Sequence, residues 1–291
     1  MKLTISNVSK SFKKRIALQN ISFELHAGIY GLLGPNGAGK TSLMKIIADI
    51  MTPTLGEVSL DGTPVRKLGE NYRNLLGYMP QNIGVYRDFT AEQYLLYIAA
   101  LKGLSRKAAQ EKVYEQLKIV GLEQSANNKL KTFSGGMVRR IGIAQTLLNS
   151  PTILLLDEPT AGLDPQERIR LRNILSSLSD NCIVILSTHI VSDIELIAEK
   201  VILLNNGKLL TVDSVNDLLQ NLKGMVWSFP ITSKSELQEL SDRCLIGNVI
   251  QGDFDIQVRV VSRHKPHKNA VPLPPTMEDL YLFYFQGGDT Y

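Results

Sequence analysis

Gly34-Pro35-Asn36-Gly37-Ala38-Gly39-Lys40-Thr41 fits the pattern G-x-x-x-x-G-K-[ST] at every fixed position. The residue types explain what such a stretch does. Glycines let successive backbone N–H groups turn inward into a concave nest for anionic oxygens. A helix that starts there adds its positive dipole end. Lys40 is placed to reach the β- and γ-phosphates of a nucleotide, the Thr41 hydroxyl to ligate Mg²⁺, and Ser42 to donate to a phosphate oxygen. Asn36, Gly37, Ala38 and Gly39 complete the cradle. The rival reading is a flexible Gly-rich turn without a ligand. The flanks argue against it: Ile29 to Leu33 reads as an apolar strand, and Leu43, Ile46, Ile47 and Ile50 lie at helical spacing.

Outward from the loop, strands alternate with helices. Ile21, Phe23 and Leu25 alternate with Ser22, Glu24 and His26, as in a half-buried strand. Val58-Ser59-Leu60-Asp61-Gly62 reads as a strand entering a tight turn. From Ala91 to about Leu122 the spacing is helical, with stripes at Leu95, Leu96, Ile98, Leu101 and at Val113, Leu117, Val120. Ser134-Gly135-Gly136 opens another helical segment through Leu148. Apolar runs end at Asp157 and at Ser187, with helical spacing between them at Ile169, Ile174, Leu175 and Leu178. This order predicts parallel strand pairing and an α/β core. Past Lys223 the composition changes. Residues 225–263 read as short strands, Lys265 to Pro275 as a loop, and Thr276-Met277-Glu278-Asp279 as the cap of a final aromatic helix.

The chain has 291 residues, enough for one large domain and a small appendage or for two modest domains. Hydrophobic residues make up 44% and charged residues 21%, which suits a globular chain with a sizeable core. Net charge is +4, too weak an excess to indicate nucleic acid or an anionic surface as partner. Cys182 and Cys244 stand in no metal-ligand spacing and cannot build a disulfide framework, so they read as inert thiols in a reducing compartment. No apolar run approaches the ~18 residues of a membrane span. A soluble, cytoplasmic chain is expected, with any membrane role supplied by a partner.

Ile153-Leu154-Leu155-Leu156-Asp157-Glu158 is an apolar strand ending in two carboxylates. The carboxyl end of such a strand is where open α/β sheets place ligand groups. Asp157 would hold Mg²⁺, directly or through water, and Glu158 would polarise an attacking water. Taken alone, the run also fits a solvated turn.

Between the two sites stands Phe133-Ser134-Gly135-Gly136-Met137, and here the sequence resembles the ATP-binding cassette (ABC) family, whose signature is usually LSGGQ. Further elements match in order: Gln81 in Tyr78-Met79-Pro80-Gln81, Ala161-Gly162-Leu163-Asp164, and His189 in Leu186-Ser187-Thr188-His189. The resemblance covers roughly residues 2–220. Met137 and Phe133 replace the usual glutamine and leucine, but the Ser-Gly-Gly core is intact.

The resemblance implies a P-loop NTPase core, a mixed sheet flanked by helices, with an antiparallel β subdomain, a helical subdomain at about 88–150 and a small C-terminal extension at 224–291. It implies that 1–223 is an ATPase domain using ATP and Mg²⁺. Glu158, His189 and Gln81 would be catalytic, with Thr41, Gln81 and Asp157 at the metal. Phe12 would stack on adenine, although a strand-edge Phe is also ordinary packing. Ser134, Gly135 and Gly136 would meet the nucleotide of a second, head-to-tail subunit, and Asp164, in the D-loop position, would be a further nucleotide-binding residue. Each has a bland rival: Ser134 is also an N-cap, and a lone His is more often structural. The implied partners are a second ATP-binding subunit and a separate transmembrane permease. The chain would then lie on the cytoplasmic face of the membrane, with Tyr78, Asn82, Val85, Tyr86 and Phe89 offering the docking groove. The C-terminal part is similar to the tails of subunits from exporters whose motor and membrane parts are separate chains, and reads equally as a plain stabilising appendage. A soluble cassette acting on ribosomes or nucleic acid is the alternative.

Overall fold

The structure, a computed structural model, describes residues 1–13, 15–188, 190–231, 233–251 and 256–287. The chain divides into two compact units, Met1–Val212 and Asp213–Tyr291.

In the first unit, β1 (Leu3–Phe12) and β2 (Arg15–Leu25) form an antiparallel pair. β3 (Gly28–Leu33) then leads through the Gly-rich loop into α1 (Lys40–Ile47). β4 (Leu55–Leu60) pairs with β1, and Asp61-Gly62 turn the chain into β5 (Thr63–Pro64). Both turn residues take positive φ, 48° and 79°, which is why Asp-Gly suits a two-residue hairpin. These strands make an antiparallel sheet of order β2-β1-β4-β5. Short helices α2 (Val65–Leu68) and α3 (Glu70–Asn74) lead to β6 (Leu76–Met79).

Three helices follow: α4 (Ala91–Leu101), α5 (Arg106–Ile119) and α6 (Gly135–Leu147). Each starts at a hydroxyl that accepts a backbone N–H three residues on, Thr90 from Gln93, Ser105 from Ala108 and Ser134 from Met137. The chain continues through β7 (Ile153–Asp157), α7 (Pro165–Ser176), β8 (Ile183–Ser187), α8 (Val191–Ile197), β9 (Lys200–Asn205) and β10 (Lys208–Ser214). The second sheet has the order β10-β9-β3-β8-β7-β6, and β9, β3, β8, β7 and β6 run parallel. Every residue of β3, β7 and β8 is buried, as unbroken apolar strands with two covered faces should be. The fold is therefore α/β, a mixed sheet flanked by helices beside an antiparallel sheet. One core joins the two sheets to α1 through Leu3, Ile5 and Leu25 on one side and Leu32, Leu155 and Ile185 on the other.

Two helical stripes differ from the sequence reading. On α4 the buried residues are Ala91, Tyr94, Leu95 and Ala99, and Leu101 is 67% exposed. On α7 they are Leu171 and Leu175, while Ile169 is exposed. The small Ala91 and Ala99 form the packing face of α4, so the largest apolar side chains need not mark the core.

The second unit holds α9 (Val215–Gln220), β11 (Val226–Ile231), α10 (Lys234–Ser241), β12 (Leu245–Gln251), β13 (Ile256–Val261), β14 (Val271–Pro272) and α11 (Met277–Phe285). Its antiparallel sheet has the order β12-β13-β11-β14 around Phe229, Ile231, Val258 and Val260. The reading of 225–263 as strands alone misses α10. Its signal was present: Ser233 accepts the Glu236 N–H at 3.3 Å, a hydroxyl cap three residues before an acid. Thr276 caps α11 as expected, in a capping box with Asp279. Cys182 and Cys244 are buried free thiols, and burial pushes Cys182 up to about 12. Among the described residues no helix is long and apolar enough to cross a membrane.

Candidate functional site

The loop between β3 and α1 owes its shape to three glycines. Gly37 and Gly39 take φ of 83° and 108°, open to glycine at little cost. Gly34 is needed for space instead, because a Cβ there would stand 2.1 Å from the Leu204 carbonyl oxygen. α1 begins at Gly39 with no side-chain cap, unlike α4, α5 and α6, and with no acid in its first turn. Its first N–H groups are left for an anion.

Lys40 opens α1 and is buried. Its Nζ donates to the carbonyls of Gly34 at 2.6 Å and Pro35 at 3.1 Å. An ammonium has three donors, so these bonds aim the head and leave one N–H for a ligand. Burial lowers the Lys40 pKa, and the nearby carboxylates of Glu158 and Asp157 oppose that shift.

Those carboxylates arrive from the end of β7. Ser187, at the end of the adjacent β8, donates its hydroxyl to Asp157 Oδ1 at 2.5 Å. Asp157 Oδ2 is buried without a hydrogen-bond partner. Glu158 is buried at φ 56°, a left-handed conformation that strains a non-glycine residue. Its N–H donates to the Ser187 carbonyl at 3.0 Å, which holds the backbone in that shape.

These groups face one cavity of about 350 Å³, lined by Phe12, Arg15, Ala17, Asn36, Gly37, Gly39, Lys40, Thr41, Ser42, Gln81, Asp157 and Glu158. Ala38 is buried beneath the loop, and its N–H turns back to the Pro35 carbonyl at 3.1 Å. Ser134, Gly135, Gly136 and Asp164 do not line the cavity. Ser134 caps α6, and Asp164 caps α7 in a box with Glu167. His189 lies outside the described residues.

A Mg²⁺ ion fits this donor set. The orphaned Asp157 Oδ2, the Thr41 hydroxyl and the Gln81 amide oxygen are hard oxygen ligands of the kind Mg²⁺ takes. Among the described residues no three His, Cys, Asp or Glu side chains converge, and Mg²⁺ ordinarily completes its shell with water and phosphate oxygens.

Sequence reasoning missed Arg15, Ala17 and Ser187. Arg15 pairs with Phe12 across the β1–β2 hairpin, and its Nη2 donates to the Gly37 carbonyl at 3.3 Å. In the sequence it closes a plain basic run, Lys13-Lys14-Arg15. Its only signal was proximity to Phe12. Ser187 was legible as a strand end, but its bond to Asp157 spans 30 residues. Tyr78 also differs from expectation. It packs on the main core with its hydroxyl buried, and burial, with the Asp157 charge, pushes it up to about 12. It therefore faces inward, leaving Asn82, Tyr86 and Phe89 exposed.

A sequence profile described as "ABC transporter" matches residues 18–161. The chain is 34% identical over 290 residues to "Nod factor export ATP-binding protein I" of Burkholderia pseudomallei, covering 96% of this chain and 95% of the relative. It is 33% identical over 274 residues to "Linearmycin resistance ATP-binding protein LnrL" of Bacillus subtilis, covering 92% and 88%. Among solved structures it resembles a "dimeric structure of a post-hydrolysis state" of an ATP-binding cassette "bound to ADP and Pi". The TM-score there is 0.66 at 27% identity, over 73% of this chain and 98% of that one. A "Structure of ATP binding subunit of ABC transporter" aligns with a TM-score of 0.69, at 27% identity over 76% and 93%.

Proposed function

The chain belongs to the ATP-binding cassette family as the ATP-hydrolysing, ATP-binding subunit of an ABC transporter, and on that premise we propose how its residues divide the work. The observation that carries the reading is the single cavity shared by the Lys40 loop and the Asp157-Glu158 pair.

ATP lies in that cavity with its phosphates on the N–H groups of the loop and of the start of α1. Lys40 bonds the β- and γ-phosphates, and Phe12, partly exposed at the rim, stacks on adenine. Thr41, Gln81 and Asp157 would hold Mg²⁺, which when bound neutralises phosphate charge. Glu158 accepts the proton of the attacking water as its oxygen bonds the γ-phosphorus and the bond to the bridging oxygen breaks, releasing ADP. Ser134, Gly135, Gly136 and Asp164 stand apart from the chain's own cavity. In this reading they meet the ATP of a second copy arranged head-to-tail, with ATP binding closing the dimer and hydrolysis opening it.

A separate transmembrane permease is the proposed load, placing the chain on the cytoplasmic face of the membrane. Support comes from an exposed aromatic patch: Tyr86 lies 5.3 Å from Phe89 and 5.4 Å from Tyr97, centroid to centroid. Such patches mark interaction sites, and an inserted helix would suit this one. Export is favoured because the relatives named for export and for resistance match across 96% and 92% of this chain, through its second unit. The alternative of a ribosome or nucleic-acid substrate lacks support from charge, which is only +4.

Tyr86→Ala tests the docking. Removing an aromatic anchor costs about 2 kcal/mol, so permease affinity should fall roughly 30-fold. The ATPase rate of the isolated subunit should stay within about twofold, because Tyr86 is not at the ATP cavity. Co-purification with the permease and transport-coupled ATPase are the measurements, and full retention of both would remove the patch from the docking surface.

A further inference from the structure

Glu167 lies outside the ATP cavity, yet its carboxylate serves three segments at once. Oε2 accepts the Asp164 N–H at 3.2 Å, while Asp164 Oδ1 accepts the Glu167 N–H at 2.8 Å. Oε1 meets Arg140 Nη2 at 3.0 Å. The same carboxylate lies against the start of α6, for a Cβ on Gly136 would stand 2.4 Å from Oε2. A side chain at Gly136 would therefore displace the Glu167 carboxylate from its present place.

Arg140, on α6, extends the connection. Its Nη1 donates to the Val120 carbonyl at 3.1 Å and to Gly121 at 3.2 Å, where α5 has ended. These bonds satisfy carbonyls that a helix terminus leaves open. The paired side chains are only 16% and 17% exposed, whereas the surface pair Lys131–Asp88 is 49% and 80% exposed. Exposed pairs fluctuate and contribute little, while a shielded one with additional hydrogen bonds holds a single geometry. Arg suits the role because its planar fork reaches a carboxylate and two carbonyls together.

We propose that Glu167, paired with Arg140, is a positioning residue that locks the Ser134-Gly135-Gly136 turn in register with Asp164, so that both segments reach the second copy's nucleotide as one body. This rests on the head-to-tail dimer proposed above. The pair does not touch ATP in its own chain, so its loss weakens dimer closure and leaves nucleotide binding by the monomer in place. ATP bound by one copy then recruits the other less effectively, and the two sites lose cooperativity.

The test uses the full chain carrying Glu158→Gln, which is expected to hold ATP without turnover. Glu167→Gln and Arg140→Lys are added separately, and ATP-driven dimerisation is followed by analytical ultracentrifugation with MgATP. The dimer Kd should rise at least about tenfold in both, while monomer affinity for a fluorescent ATP analogue stays within about twofold. In chains with Glu158 intact, the Hill coefficient for ATP should fall toward 1. A merely structural role would lower the melting temperature and nucleotide affinity together instead. Parent-like dimerisation and cooperativity in both variants would overturn the lock. If Glu167→Gln fails to fold, Arg140→Lys decides, since it keeps charge and stem but lacks the fork. If Glu158→Gln alone does not dimerise with ATP, the dimer reading fails first and takes the lock with it.

Discussion

Glu158→Gln is expected to leave ATP bound while cutting its hydrolysis by roughly 10²–10⁴-fold, the usual worth of a general base. Glutamine keeps the length and volume of the side chain and an oxygen that can still orient water. It has no basic carboxylate to take the proton. The backbone at Glu158 sits at φ 56° and is held by its N–H bond to the Ser187 carbonyl, which the substitution does not alter. Loss of rate is therefore attributable to chemistry and not to a collapsed turn. Two carboxylates also share this end of β7, and removing one negative charge favours the triphosphate. ATP should accumulate in a closed dimer, visible as a doubled mass on adding MgATP. Phosphate release gives the rate. Full turnover in this variant would remove Glu158 from the role of base.

Lys40→Ala is expected to weaken ATP binding by about 3 kcal/mol, a roughly hundredfold rise in Kd. The estimate follows from truncating one member of a buried, hydrogen-bonded charge pair. Lys40 is buried, and its ammonium is already oriented by the Gly34 and Pro35 carbonyls, so little ordering remains to oppose binding. The substitution also leaves those two carbonyls without their donor and removes a cation whose charge interacts with Asp157 and Glu158, which loosens the empty loop. Lys40→Arg should fare little better, because a longer planar fork does not replace a point charge fitted between two carbonyls. Equilibrium titration with a fluorescent ATP analogue measures the effect, and unchanged affinity would place the phosphates elsewhere.

The candidate sites could be read as patterns because each is local. Eight consecutive residues, 34–41, carry the phosphate loop, and their glycines, lysine and threonine have separate physical reasons. Ile153 to Asp157 is one unbroken apolar run whose end could be read directly. The helix α10 and the inward face of Tyr78 were less legible. The apolar stripe of α10 is only two leucines, Leu237 and Leu240, too short to stand out among strands, and an aromatic next to an exposed loop gives no sign of which way it points.

Sequence by itself determined which side chains are candidates for handling ATP and the strand–loop–helix order that presents them, since both depend on neighbours along the chain. Tertiary structure decided what depends on distant partners. It placed Arg15 across the hairpin beside Gly37, and Ser187 on β8 against Asp157 on β7. It also set Glu167 between Asp164 and Arg140, with the carboxylate against Gly136. The physical reason is that hydrogen bonds and ion pairs are set by distance in space. Residue order fixes that distance only within a turn or a helix, and the packing of β7, β8, α6 and α7 fixes the rest.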